Sequence, residues 1–200
     1  MGTVQWTGGD PSDTQTWANY EKAISEICPG GNRTRNHHFL SFFVFRLQGS
    51  RSGCFSSVGF SSPDGDGEVH QVLNLAKGCL RHGTIVHELL HTIGFYHMQS
   101  TYDRDDFVNI VWENIKAGTE HNFAKYTNDT VTDYGVPYDY ESVMHYPETA
   151  FSKNGNKTII PVQENVKIGQ RNGLSESDVL KLNKMYCEHS ETEDVKEELI

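Results

Sequence analysis

His87 and His91 stand four residues apart, with Glu88 beside the first, in the run His87-Glu88-Leu89-Leu90-His91-Thr92-Ile93-Gly94-Phe95-Tyr96-His97. In a helix this spacing puts both imidazoles on one face, so they can converge on one metal ion. Glu88 then lies where its carboxylate can reach a water at that ion. Gly94 lets the chain turn sharply, so that His97 on the exit segment supplies a third nitrogen. Three nitrogens leave a coordination position open for water and substrate, the mark of a catalytic zinc site. The chemistry such a set supports is hydrolysis by a metal-activated water, with Glu88 as general base. A core helix with histidines placed by accident needs neither the glycine nor a third histidine at a fixed offset. A structural zinc site would be closed by a fourth protein ligand, usually Cys. The nearest cysteine, Cys79, stands eight residues before His87, outside the run.

The ligand-bearing element must be a helix with a defined stop. Arg81 to Ile93 predicts that helix, and Gly94 its left-handed end. Ahead of it, residues 1–13 are polar and read as loop. Trp17, Tyr20, Ile24 and Ile27 give helical spacing from Thr14 to Ile27, ended by Cys28-Pro29-Gly30-Gly31. Phe39 to Leu47 and Val69 to Leu75 predict strands. Behind it, residues 102–106 are a charged turn, and 107–126 mix a short strand with helical pieces. Residues 127–160 look irregular, punctuated by Gly135, Pro137, Pro147 and Gly155. A last helix is predicted from about Ser175 to Tyr186, capped by Ser175 with Asp178 at the box position. Residues 188–200 form an acidic tail.

The chain has 200 residues and a formal net charge of −10, which argues against broad nucleic-acid binding. Its longest apolar stretch, Phe39 to Leu47, is interrupted by Ser41 and Arg46, so no membrane insertion is expected. Met1 to Gly9 has no basic stretch leading into an apolar run, so a signal peptide is not expected within this sequence. Cys28, Cys54, Cys79 and Cys187 suit two disulfides in an oxidising compartment, and spacing alone leaves all three pairings open. Asn32-Arg33-Thr34, Asn128-Asp129-Thr130 and Asn156-Lys157-Thr158 are glycosylation sequons that fit the same compartment. His37, His38, His70, His82, His121 and His189 lack ligand spacing and are expected at the surface or in loops.

The run His87 to His97 resembles the metzincin motif HExxHxxGxxH. Two further features are similar to the astacin family: Asp103-Arg104-Asp105, and Ser142-Val143-Met144-His145-Tyr146, which resembles its Met-turn. The resemblance runs from about residue 39 to 187. It implies an α+β, metzincin-like two-lobed catalytic domain: an N-terminal twisted mixed sheet with two helices, a C-terminal irregular lobe with a final helix, and an active-site cleft between. Residues 1–97 would form the first lobe with the zinc-binding helix, and 98–187 the second with the Met-turn. By the same resemblance Met144 is an apolar floor under one catalytic zinc ion. Tyr146 contacts the zinc at rest and swings away to stabilise the oxyanion when substrate binds. His145 is structural. The implied disulfides are Cys28–Cys187 and Cys54–Cys79. Substrate would lie extended, with Val69 to Leu75 as the edge strand it pairs with.

The chain departs from the family pattern at Met98, where an acidic residue normally follows the third histidine, and at Thr101, where arginine is usual. The expectation is a secreted, monomeric zinc metalloendopeptidase acting on proteins or peptides, with any leader and propeptide already absent. The competing expectation is a metal-loaded relative that has lost catalysis and acts as a decoy or adhesion module.

Overall fold

The computed structural model describes residues 5–6, 46–49, 51–59 and 71–187. The chain forms two compact units, one drawn from Met1–Phe95 with Arg171–Ile200 and the other from Tyr96–Gln170. The expected helix from Thr14 to Ile27, the Cys28–Cys187 pairing and the acidic tail lie outside the described residues.

The first unit is built on a mixed four-stranded sheet: β1 (Gln5–Trp6), β2 (Arg46–Gln48), β3 (Cys54–Ser56) and β4 (Val72–Leu75), in the order β1-β2-β4-β3. β1, β2 and β4 run parallel, and β3 is antiparallel to β4. Leu47 stands opposite Leu73, and Cys54 opposite Leu75. A disulfide joins Cys54 to Cys79. Two expectations are corrected here. Gln5–Trp6 is paired strand, not loop; two residues are too few to show an alternating pattern. Val72–Leu75 is an interior strand, because both its edges are hydrogen-bonded, to β2 and to β3. Among the described residues the outer strand on this side is Cys54–Ser56.

Helix α1 (His82–Thr92) packs on β3 and β4 and begins one residue inside the expected span. Ile85, Val86, Leu89 and Leu90 are at most 2% exposed and lie in one core with Leu73 and Leu75. Nine of its eleven residues are buried, and four of the nine are polar: His87, Glu88, His91 and Thr92. An apolar face explains a helix packed on a sheet; buried polar residues on that helix ask for a separate reason. Gly83, near its start, comes so close to the backbone of Arg171 that a Cβ there would lie 2.1 Å from the Arg171 carbonyl oxygen.

Later in the same unit, α2 (Glu176–Leu182) continues into a single π turn over Asn183–Cys187. Ser175 caps α2 as expected: its Oγ accepts from the Asp178 amide, and the Asp178 carboxylate accepts from the Ser175 amide, both at 3.0 Å. The Tyr186 hydroxyl donates to the Ile93 carbonyl, just past α1.

The second unit has little regular structure. β5 (Val108–Ile110) pairs antiparallel with β6 (Ile159–Pro161), the one strand in the segment expected to be irregular. Three residues hold too little pattern to separate it from loop. Short 3-10 turns at Met98–Ser100, Arg104–Asp106, Trp112–Asn114 and Glu120–Phe123 fill the rest. The core is Val108, Ile115, Phe123 and Ile159, against which Tyr138, Tyr140 and Tyr146 pack. Buried Arg104 ties the loops together, its Nη1 donating to the carbonyls of Gln99 at 2.9 Å and Phe123 at 2.7 Å. Among the described residues no helix is long and apolar enough to cross a membrane.

Candidate metal centre

Helix α1 ends in a Schellman motif. The Gly94 amide donates to the His91 carbonyl and the Phe95 amide to the Leu90 carbonyl, both at 2.9 Å. The turn needs a left-handed residue, and Gly94 supplies it at φ +106°. The chain then reverses, and His97 follows in an extended conformation. The outcome is the expected convergence: ligand nitrogens of His87, His91 and His97 lie within 4.8 Å of one another. His87 and His91 are buried, at 5% and 6% exposure.

The donor set fits a divalent ion. Burial lowers the His91 pKa to about 4, so its imidazole is neutral near pH 7. Its Nδ1 lies 2.7 Å from the Phe95 carbonyl. A carbonyl can only accept, so Nδ1 carries the proton and Nε2 the lone pair that a metal requires. The same turn that brings His97 round therefore also fixes the tautomer of His91.

Glu88 sits beside His87 at 5% exposure. Desolvation raises its pKa to about 7, against the lowering effects of the Arg171 charge and a hydrogen bond from the Ser56 backbone. Its Oε2 is buried with no hydrogen-bond partner among the described residues. A buried carboxylate oxygen of this kind is costly unless a cation or a water completes it. This supplies the separate reason for a polar group at the centre of α1.

In the second unit, the ring of His97 lies 4.3 Å from that of Tyr146, centroid to centroid. Met144 is 2% exposed, and its carbonyl accepts from the Met98 amide at 3.1 Å, joining the Met-turn to the segment after His97. Met98 itself is buried, at 6% exposure. Thr101 turns its hydroxyl onto the Met98 carbonyl at 3.1 Å. His145 is fully buried with both ring nitrogens in hydrogen bonds, to Tyr138 and to the Tyr146 carbonyl, as expected of a structural residue. Sequence reasoning did not find Arg171, Ser56, Gln99 or Phe151 as neighbours of the site residues. All but Phe151 are distant in the chain from the site residue they meet, and no motif or local period links them to it.

The comparisons with known proteins agree with this geometry. The family model described as Astacin, a peptidase family, matches residues 33–187. Zinc metalloproteinase nas-13 of Caenorhabditis elegans is 48% identical over 134 residues, covering 67% of this chain and 28% of the worm protein. Human meprin A subunit beta is 46% identical over 137 residues, 68% of this chain and 19% of its own length. The chain thus spans well under a third of these two relatives. Among solved structures, high choriolytic enzyme 1, a hatching enzyme zinc-protease from the medaka fish Oryzias latipes, superposes with a TM-score of 0.73 at 31% identity. That match covers 92% of this chain and 88% of the fish chain. With a family model matched over most of the chain and a zinc-protease fold superposed on it, the chain belongs to the astacin family of peptidases.

Proposed function

We propose that this chain is a zinc-dependent endopeptidase domain with His87, His91 and His97 as metal ligands, Glu88 as general base and Tyr146 as oxyanion donor. The observation that carries it is the buried, incompletely partnered Glu88 carboxylate on the helix that supplies two of three converging histidines. When bound, zinc supplies a Lewis acid that makes water acidic enough to lose a proton near neutral pH. Glu88 takes that proton from the attacking water and passes it to the leaving amine. To do so it must begin ionised. Burial, set against Arg171 and the Ser56 backbone, raises its pKa to about 7, and a divalent charge nearby would favour the carboxylate. The Tyr146 phenol donates to the carbonyl oxygen as negative charge develops there. One such donor is worth about 2.7–4 kcal/mol in the transition state. Met144 serves as an apolar floor. An extended substrate pairs with the outer strand Cys54–Ser56. The Cys54–Cys79 disulfide and the exposed Asn128 and Asn156 sequons support a secreted, glycosylated protein acting on protein or peptide substrates.

The test is cleavage of casein by protein expressed under oxidising conditions. Wild type, Glu88→Ala and wild type with chelator run side by side, with metal content measured on each. Cleavage by wild type alone, with the variant still holding one zinc, is the expected result. Zinc bound without cleavage turns the reading to a decoy or adhesion module. Folded protein that takes up no zinc overturns it.

A further inference from the structure

Glu88 is fastened to one residue of the outer strand at two points. Its carboxylate accepts a hydrogen bond from the Ser56 backbone. Its main chain is reached through Thr92, one helical turn on, whose Oγ1 lies 3.0 Å from the Glu88 carbonyl and 2.9 Å from the Ser56 Oγ. A carbonyl can only accept, so the Thr92 hydroxyl donates to Glu88. That spends its one hydrogen, so across the 2.9 Å contact the Ser56 hydroxyl donates and Thr92 accepts. The Ser57 carbonyl, at 3.1 Å, is the longer alternative for the same Ser56 hydrogen. The stretch just after β3 is fixed to the same end of α1. The Gly59 amide donates to the His91 carbonyl at 2.9 Å. Nε2 of buried Gln71 donates to the Gly59 carbonyl at 2.7 Å and to the Thr92 carbonyl at 2.9 Å. Thr92 is 1% exposed, so it does not touch a substrate. Within an α-helix the Glu88 carbonyl already accepts from the amide four residues on, so it does not need the hydroxyl. Val would fill the same space with no polar atom to bury. What the hydroxyl adds is an acceptor for Ser56.

We propose that Thr92 and Ser56 are positioning residues for the general base. Their hydroxyl pair holds the outer strand against the turn of α1 that carries Glu88, which keeps one carboxylate oxygen tethered to the Ser56 amide and leaves the other, Oε2, for water. The proposal rests on Glu88 acting as general base. A base must meet the proton it takes at hydrogen-bond distance, and a small misplacement costs rate more than substrate affinity. The loss therefore appears in kcat rather than KM.

Thr92→Val and Thr92→Ser test this with labelled casein as substrate, zinc content being measured on each protein. Thr92→Val keeps the shape and removes the hydroxyl. It is expected to lower kcat about tenfold, with KM within about twofold and zinc unchanged. Thr92→Ser keeps the hydroxyl and is expected to hold kcat within about twofold of wild type. Ser56→Ala should match Thr92→Val, and the double variant should lose no more than either alone, since both break one bond. A wild-type kcat in Thr92→Val, a loss that Thr92→Ser shares in full, or a loss that follows missing zinc overturns the proposal. Amide hydrogen exchange reads the tether without any cleavage. The Ser56 amide should be protected in wild type and exchange at least about tenfold faster in Glu88→Ala and in Thr92→Val. No cleavage by wild type removes the general-base reading, and exchange then decides the tether by itself. A Ser56 amide that is unprotected in wild type, or that Glu88→Ala leaves equally protected, refutes it whether or not Thr92→Val folds.

Discussion

Gly83→Ala offers the sharpest test of how α1 is seated. In an ordinary helix interior the change is stabilising by about 1 kcal/mol, since alanine is the better helix former. Gly83 has no positive φ to forbid a side chain, so its backbone raises no objection. The objection is contact. A Cβ would lie 2.1 Å from the Arg171 carbonyl oxygen, 2.3 Å from its carbon and 3.0 Å from its Cα. All three are backbone atoms, which cannot rotate aside as a side-chain tip can. The gap must open by about 0.9 Å before it reaches even 3.0 Å, a distance that real Cβ atoms essentially never undercut. Overpacking of this kind costs about 1–3 kcal/mol, and a backbone contact puts it at the upper end.

Subtracting the propensity gain leaves a net loss of about 1–2 kcal/mol. For a chain of this size that lowers Tm by roughly 2–8 °C. The assay is equilibrium urea denaturation with disulfides intact, alongside a thermal melt. Gly83→Ser should lose at least as much, because its side chain is larger. A Gly83→Ala protein as stable as wild type, or more so, would refute the close approach and leave helix propensity as the winning effect.

Three further outcomes follow from local geometry. Ser175→Ala removes the hydroxyl half of the α2 capping box and should cost about 1 kcal/mol in urea denaturation; Ser175→Gly should cost only a few tenths, and equal losses would mean that the cap is not formed. Replacing both Cys54 and Cys79 by alanine frees a link of sequence separation 25 and should cost about 3 kcal/mol; a loss under about 1 kcal/mol would show that the unfolded chain gains little from its release. The Asp105 carboxylate is held below its ordinary value by hydrogen bonds from Lys125 at 2.5 Å and Arg104 at 2.8 Å. A depressed carboxylate adds stability above its unfolded value, near 3.8, and loses it as pH falls through the folded one. Asp105 is 58% exposed, so water screens the pair; Asp105→Asn should cost at most about 1 kcal/mol at pH 7, and the gap to wild type should narrow as the pH falls below that unfolded value.

What the sequence could reveal divides along the range of the interaction. The features that were legible are fixed within about one helical turn: the span of α1, the left-handed stop at Gly94, the Ser175–Asp178 box and the histidine spacing. Each is a local constraint, where one residue type is favoured for a reason that involves only its neighbours in the chain. What was missed is the order in which distant segments meet. Val69 to Leu75 has the composition of a strand, but composition does not say how many strands flank it, and β3 supplies a second neighbour from 16 or more residues away. The pairing of Val108–Ile110 with Ile159–Pro161 is hidden for the same reason. So is Arg171, which no local period links to Gly83 or Glu88. The candidate site shows the same division. The grouping of its three histidines was readable because a turn of helix and a glycine build it. The hydrogen bonds that hold Glu88 and Tyr146 come mostly from segments distant in the chain, and those set how the residues behave once the motif has placed them.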